Sequence, residues 1–373
     1  MIEPQSLDAL RNAVRHTVAE ERFLLDELRA QIQPLKAITR RIHPRSATAI
    51  SLVGTDGGNN RIRYDPFMIQ LLRVVDSTQK EYCLEVITPN TPLDALERRH
   101  LDSSGIGLTA LGRMMAYLKI RKLADLSPVF VESAEQRSPS WVQVYRELTE
   151  WAVLLDLVRS STFATDTVIV RDGFLRSKMF KSGLFGKYTL GLEEGIVHQY
   201  QLNRRRVYIA GIAKHSKVLQ TYRLAMALEG VMRNAYPCHV EVDRDIEANV
   251  YRWEEYARGG SAGESFVAGK MFLVKFGSSP HDPVWATDLL ISQTDEAPLV
   301  FGFLLADSVD GFPVPFYPQC LQRAHEHAEL VDFDMDVLQD QACDALRGHL
   351  GGKRWLIDEL ALQHSDPARS RYA

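Results

Sequence analysis

Cysteine is scarce in this chain of 373 residues: Cys83, Cys238, Cys320 and Cys343 are the only four, and no two form a C-x-x-C pair. Such spacing supports neither a disulfide framework nor a structural zinc, and leaves four reduced core thiols. Long apolar runs are missing as well. None reaches the length of a membrane span, and the N-terminus, MIEPQSLDALRNAV, has acids where a secretion signal carries lysines, so a cytoplasmic protein without membrane attachment is expected. A Walker A loop is absent: GESFVAGKM and SGLFGKYT have the wrong spacing or the wrong residue after lysine, which excludes a P-loop ATPase. There is no excess of positive charge. With 44 Lys and Arg against 48 Asp and Glu, the net charge is −4, so any contact with nucleic acid must come from a local patch. No self-similarity at solenoid periods is visible.

What remains is an ordinary globular composition, 45% hydrophobic and 25% charged, ample for a large core. From Ser6 to about Leu35, apolar residues at Leu7, Leu10, Val14, Val18, Leu25, Leu28 and Ile32 mark one face of a long helix. That stripe either packs on its own domain or meets another chain. Strands are expected at 48–56, 67–77 and 81–88, with GGNN as the turn between the first two: an antiparallel meander. Residues 89–139 read as a helix-rich insertion, 141–160 as a helix and 167–172 as a strand. Alternation continues with a strand at 207–216 ending in Lys214 and a helix after it. Strands are then expected at FVAGKMFLVKF, WATDLLIS and PLVFGFLLADS, and a helix at YPQCLQRAHEHAELV. The stretch 258–265, RGGSAGES, is the best candidate for a flexible loop. The whole describes a mixed α/β sheet: an N-terminal helical segment at 1–44, a core domain at 45–335 and a helical tail at 336–373.

Two segments share a device. ATAISLVGTDGGNNR (47–61) is an apolar run delivering Asp56 to a glycine pair, and TVIVRDG (167–173) delivers Asp172 to another glycine. One Asp-Gly is an ordinary hairpin signal; two at the ends of apolar runs suggest a site. Just after the second, Arg171, Arg176, Lys178, Lys181 and Lys187 crowd one segment, either a solvated loop or a patch for a phosphate backbone.

The ordered set GTDGG, VRDG with its basic segment, GIAKHSK and YPQCLQRAHEHAEL, between about residues 47 and 335, resembles the NurA family of DNA-end-processing nucleases. The resemblance implies a ribonuclease-H-like core with a three-strand meander, flanking helices and helical insertions. It also implies 5′-to-3′ resection of DNA ends, a homodimer, and a HerA-type hexameric ATPase as partner, in DNA repair or anti-phage defence. The site it implies holds Mn2+ or Mg2+ on Asp56, Glu150, Asp172 and His325, with Lys214 at the scissile phosphate or the attacking water. Glu147, on the same helical face as Glu150, is the alternative third carboxylate, and Glu85 and Asp307, the latter at the end of an expected strand, are reserves.

The chemistry is coherent apart from the name. Cleaving a phosphodiester needs an activated water and a stabilised leaving oxygen, which divalent ions on carboxylates supply. Hard ions prefer oxygen donors, and manganese accepts imidazole too. His325 and His327, two apart on a helix, point different ways, so one metal cannot take both; the family pattern selects His325. Two other readings fit parts of the pattern. A PIWI-type slicer also has R-D-G followed by A-H on a helix, but Asp56 leaves no room upstream for a guide-binding domain. A catalytically inactive adaptor for the ATPase is disfavoured because every ligand position carries a metal-competent residue.

Overall fold

The structure, a computed structural model, describes residues 3–45, 50–64, 67–131, 133, 140–181, 183–251, 266–329 and 332–350. Helices α1 (Pro4–Glu20), α2 (Arg22–Ile32) and the single turn α3 (Leu35–Ile38) lead through β1 (Arg40–Arg41) to the meander β2 (Ile50–Tyr64), β3 (Phe67–Asp76) and β4 (Glu81–Ile87). The insertion holds α4 (Leu93–His100), α5 (Ala110–Leu118) and α6 (Leu123–Leu126). Then follow α7 (Trp141–Ser160), β5 (Asp166–Asp172), α8 (Leu184–Asn203), β6 (Val207–Ala213), α9 (Lys217–Glu229), β7 (Cys238–Glu241) and α10 (Arg244–Val250). The chain closes with β8 (Gly269–Lys275), β9 (Trp285–Leu290), a 3-10 segment at Ile291–Glu296, α11 (Ala297–Ser308), α12 (Gln319–Ala328) and α13 (Asp332–Leu350). None of the helices among the described residues is long and apolar enough to cross a membrane.

The nine strands among the described residues join one sheet in the order β1-β7-β8-β9-β6-β5-β2-β3-β4. Only β2–β5 and β5–β6 pair in parallel; the other neighbours are antiparallel. The stretch β4-β3-β2-β5-β6, a meander continued by two parallel strands, is the ribonuclease-H-like arrangement expected. Both parallel neighbours of the centre, β5 and β6, are apolar runs buried almost throughout, as strands covered on two faces must be.

One face of the sheet is covered by α7, the insertion and α8. Helix α7 buries residues on all sides, among them Trp141, Tyr145 and Trp151, as expected of a helix with core around it. Its Tyr145 hydroxyl lies 2.6 Å from His100 Nε2 and donates to Glu85 Oε2 at 2.6 Å, tying the insertion to β4. The other face carries α11 and α12 over β5 and β6. A third cluster joins α2, α9 and α10 to β7 and β8. Beyond β9, Gln293 reaches back to β6: its amide oxygen accepts from Ile209 N at 2.9 Å and its amide nitrogen donates to Val207 O at 2.7 Å.

Three expectations need correction. GGNN is not a turn: β2 runs through it to Tyr64, paired with β3 from Thr55↔Asp76 to Tyr64↔Phe67, because the long partner strand supplies hydrogen bonds that a turn would forgo. PLVFGFLLADS is helix α11, not a strand. An apolar run of this length is ambiguous from periodicity alone; proline at its start and burial of most of the run between neighbours favour a helix. Asp307 accordingly sits on α11, where Oδ2 accepts from Cys320 N at 2.9 Å and caps the start of α12. The N-terminal helix is also interrupted, at Glu21. The stretch 258–265 lies outside the described residues.

His239 on β7 is buried between the rings of Phe272 and Phe301, and neither of its nitrogens has a hydrogen-bond partner. Burial, aided by the Arg40 charge, lowers its pKa from 6.5 to about 4. Burial similarly lowers His100 to about 4. The fold therefore favours neutral imidazoles: that contribution is complete above the unfolded pKa near 6.5 and is lost as pH falls toward 4. His239→Phe is expected to weaken the fall in unfolding free energy between pH 7 and 5 by on the order of 1–2 kcal/mol, read from denaturant melts at the two pH values.

Candidate active site

The centre of the sheet holds a change of pairing. Parallel pairing of β2 with β5 ends at Thr55↔Arg171, while β2 continues along β3 as far as Tyr64. Positions 56 and 172 are each one step past that last pair, on adjacent strands. Alternation along a strand puts both on the face that α12 covers. Of Asp56 the structure describes the backbone, paired with Val75.

Glycines flank position 56 on opposite faces. At Gly54 an added Cβ would lie 2.3 Å from the carbonyl oxygen of Cys320, so α12 rests directly on the strand backbone. At Gly57 it would lie 2.4 Å from Glu150 Oε1, so the glutamate of α7 is pressed against β2 from the other side.

Asp172 ends β5 with Oδ2 2.7 Å from Lys214 Nζ and Oδ1 accepting from the Tyr317 hydroxyl at 3.3 Å. Lys214 directly follows β6 and its ammonium also sits 5.7 Å from the centre of the Tyr317 ring. The pair is partly open to solvent, the lysine side chain at 35% and the aspartate at 17%. Tyr317 opens the YPQCLQRAHEHAEL motif but is not among the site residues that the resemblance implies; the fold brings it across 145 residues to Asp172.

Glu150 is buried between two arginines, Arg171 Nη2 at 3.3 Å and Arg146 Nε at 3.3 Å. Glu147 turns elsewhere, accepting from Ser177 Oγ at 3.0 Å and Trp151 Nε1 at 3.3 Å. His325 is exposed on α12, a helix that packs across β2, β3 and β5. Glu85 is on β4, where burial raises its pKa and the Tyr145 hydrogen bond opposes that rise. Asp172 and Lys214 are therefore in direct contact and Glu150 reaches the same stretch of β2 from the opposite face. Among the described residues, no three His, Cys, Asp or Glu side chains are grouped so as to hold a metal by themselves.

The basic segment divides. Arg171 is buried, donates to Phe174 O at 3.1 Å and stacks 4.2 Å from the Trp151 ring. Arg176 is buried too, donating to both Asp288 oxygens at 2.6 and 2.9 Å and to Glu247 Oε2 at 2.6 Å. Neither is available to a phosphate backbone: a guanidinium matched to buried carboxylates keeps its partners. Sequence reading missed Asp288 and Glu247, which lie 112 and 71 residues from Arg176 with no local pattern to announce them. Lys178 is half-buried. Lys181 is exposed, donating to Ala124 O at 3.4 Å, and Lys187 is exposed on α8.

No protein-family model matches the chain, and no curated protein matches its sequence. Among solved structures it is similar to the NurA nuclease from Sulfolobus solfataricus, with TM-score 0.45 and 11% identity over 93% of this chain and 98% of that one. It is similar also to NurA bound to dAMP and manganese, with TM-score 0.41 and 9% identity over 88% and 94% of the two chains. NurA with manganese gives TM-score 0.37 and 12% identity over 90% and 97%. Likeness of this degree decides neither activity nor ligand, which rest on the site.

Because Arg171 balances a buried carboxylate, Arg171→Met is expected to cost about 3–5 kcal/mol of stability. Lys181→Ala, on the surface of the same segment, should stay within about 0.5 kcal/mol of the parent. Urea unfolding of the two variants checks the contrast.

Proposed function

We propose that the protein is a metal-dependent deoxyribonuclease that hydrolyses phosphodiester bonds at DNA ends. The observation that carries this reading is the meeting of acids and a lysine where β5 leaves β2. Asp172 is there with Lys214 on its carboxylate, position 56 is its neighbour in register, and Glu150 reaches the adjoining backbone because residue 57 has no side chain.

The donors fit a hard divalent cation. Asp56 and Asp172 would offer carboxylate oxygens and His325 an imidazole, a set suited to Mn2+ or Mg2+; Glu150, which approaches β2 from the opposite face, would have to leave Arg146 and Arg171 to join them. The missing Cβ at Gly57, whose place Glu150 Oε1 takes, is the structural feature that lets a carboxylate from α7 approach β2. Bound there, the ion would supply a nucleophilic water and neutralise the leaving oxygen. The protein's own contributions are distinct from that. Lys214 places a partly exposed ammonium beside Asp172, within reach of a phosphate oxygen. Tyr317 fixes the orientation of the Asp172 carboxylate. Arg146 and Arg171 pair with the Glu150 carboxylate inside the core.

The direct test is incubation with end-labelled DNA in the presence of manganese. Cleavage is expected to stop when the metal is chelated. Asp172→Asn and Asp56→Asn should each lower the rate by at least about a hundredfold with the melting temperature nearly retained, since the Asp172–Lys214 pair is partly open to solvent and such pairs contribute little to stability. A normal rate in either variant would remove that residue from the site; equal loss of activity and stability would make it structural.

Partners belong to the same proposal: a second copy of the chain and a HerA-type ATPase, in repair or anti-phage defence, with α1 as a contact surface. The N-terminal stripe divides at the break after α1. Ile32 and Leu35 are buried, and Leu25 and Leu28 pack against the cluster around α9, whereas Leu10, Val14 and Val18 on α1 are 47%, 54% and 66% exposed. Removing residues 1–20 is therefore expected to leave folding and basal cleavage intact, and to abolish self-association or stimulation by the ATPase. Light scattering and a coupled cleavage assay read the two effects; aggregation of the truncated chain would assign α1 to the core instead.

A further inference from the structure

Next to Lys214, an open cleft of about 480 Å3 runs between α9, the turn at 231–233 and the loop at 280–284. Its volume is in the range of sites for small organic ligands, roughly 300–1,000 Å3. That is space for a nucleotide and too little for a duplex. The floor is apolar, with Met226, Met232 and Val284, and the rim is cationic, with Lys214, Arg223 and Arg233. Both arginines are exposed, and among the described residues neither has a carboxylate partner. The acid on the wall, Asp282, is occupied within its own loop, where Oδ2 accepts from Ser279 N at 2.6 Å.

The walls are held in place from below. Lys275 is completely buried, and its ammonium donates to Asn234 O and, at 2.9 Å, to Ser279 O. One charge thus ties the end of the 231–233 turn to the start of the 280–284 loop, across the width of the cleft. A buried ammonium placed on two backbone carbonyls keeps them there, because either carbonyl could leave only at the cost of an unsatisfied charge. The cleft is a built feature with fixed sides.

We propose that this cleft is a binding subsite for single-stranded DNA, taking the nucleotide next to the phosphate that Lys214 contacts. The apolar floor would receive a base face, and the planar guanidinium groups of Arg223 and Arg233 would pair with flanking phosphates or stack on the base. Lys214 lies in both places, lining the cleft and touching Asp172, so a strand held in the cleft leads directly to the acids. The inference rests on the reading of Asp172 and Lys214 as the cleavage centre.

Binding of a fluorescein-labelled oligothymidylate, measured by anisotropy in EDTA, tests the subsite without any cleavage. The double variant Arg223→Ala/Arg233→Ala should keep the parent's melting temperature, since both side chains are exposed. It should lose affinity by about tenfold or more, and its log–log salt dependence should flatten by about 1.4, the share of two phosphate contacts on a single strand. Unchanged affinity and slope in the double variant, or a wild-type protein that binds duplex but not oligothymidylate, would overturn the subsite. Manganese-dependent cleavage is scored separately. Cleavage by the wild type together with unaltered binding by the variant would leave the nuclease standing and remove the subsite. Arginine-dependent binding by a protein that never cleaves would keep the subsite and reject the nuclease.

Discussion

A strand with a glycine on each face, at positions 54 and 57, is the constraint on which the rest of this structure depends. Gly54 lets a helix backbone rest on β2 from one side, and Gly57 lets a carboxylate from α7 press on it from the other. Two layers of the fold are thereby brought to within contact of the same few residues, on either side of position 56. Any larger residue at 54 would meet backbone atoms, which cannot rotate away. The flexible end of Glu150, by contrast, could give way at 57. The two glycines are therefore unequal: the first fixes where α12 lies, and the second fixes how near Glu150 comes.

Much of this was legible in the sequence, and for physical reasons. The apolar runs at β5 and β6 announce strands buried on both faces, and α7 announces itself by apolar residues recurring at helical spacing. The two Asp-Gly steps mark the site because an acid at the end of an apolar strand is chemically conspicuous. What the sequence obscured was the local role of the first step. Asp-Gly-Gly-Asn-Asn carries the composition of a turn, yet it is held extended by ten successive residue pairs with β3. Pairing across a sheet is a non-local property, and local turn propensity yields to it. Helix α11 was misread for the complementary reason, since a buried helix shows no polar face from which its period could be recognised.

The basic segment shows how charge counts mislead. Arg171 and Arg176 stand close in sequence to Lys178, Lys181 and Lys187, and as a string of cations they suggest one surface. In space they are separated by function: both arginines are internal counter-ions, for Glu150 and for Asp288 with Glu247. Arginine suits that work because its planar fork satisfies carboxylates at fixed angles. The lysines, with flexible stems and compact charges, are left nearer the solvent. The cations that line the cleft, Arg223 and Arg233, stand in an otherwise ordinary amphipathic helix and the turn that follows it, with no local clustering to draw notice.

Gln293 marks a boundary of the sheet in an unusual way. Strand β9 pairs with β6 only over Ala210–Ala213, and below that point the side-chain amide of Gln293 takes over, accepting from Ile209 and donating to Val207. A primary amide has the same donor and acceptor as a peptide unit, so one side chain does for β6 what a further stretch of strand would have done. The polypeptide itself is thus released from the sheet early and is free to turn into α11. The length of β9 is in this sense written in a single residue, and the border between sheet and helical layer follows a side chain instead of a backbone.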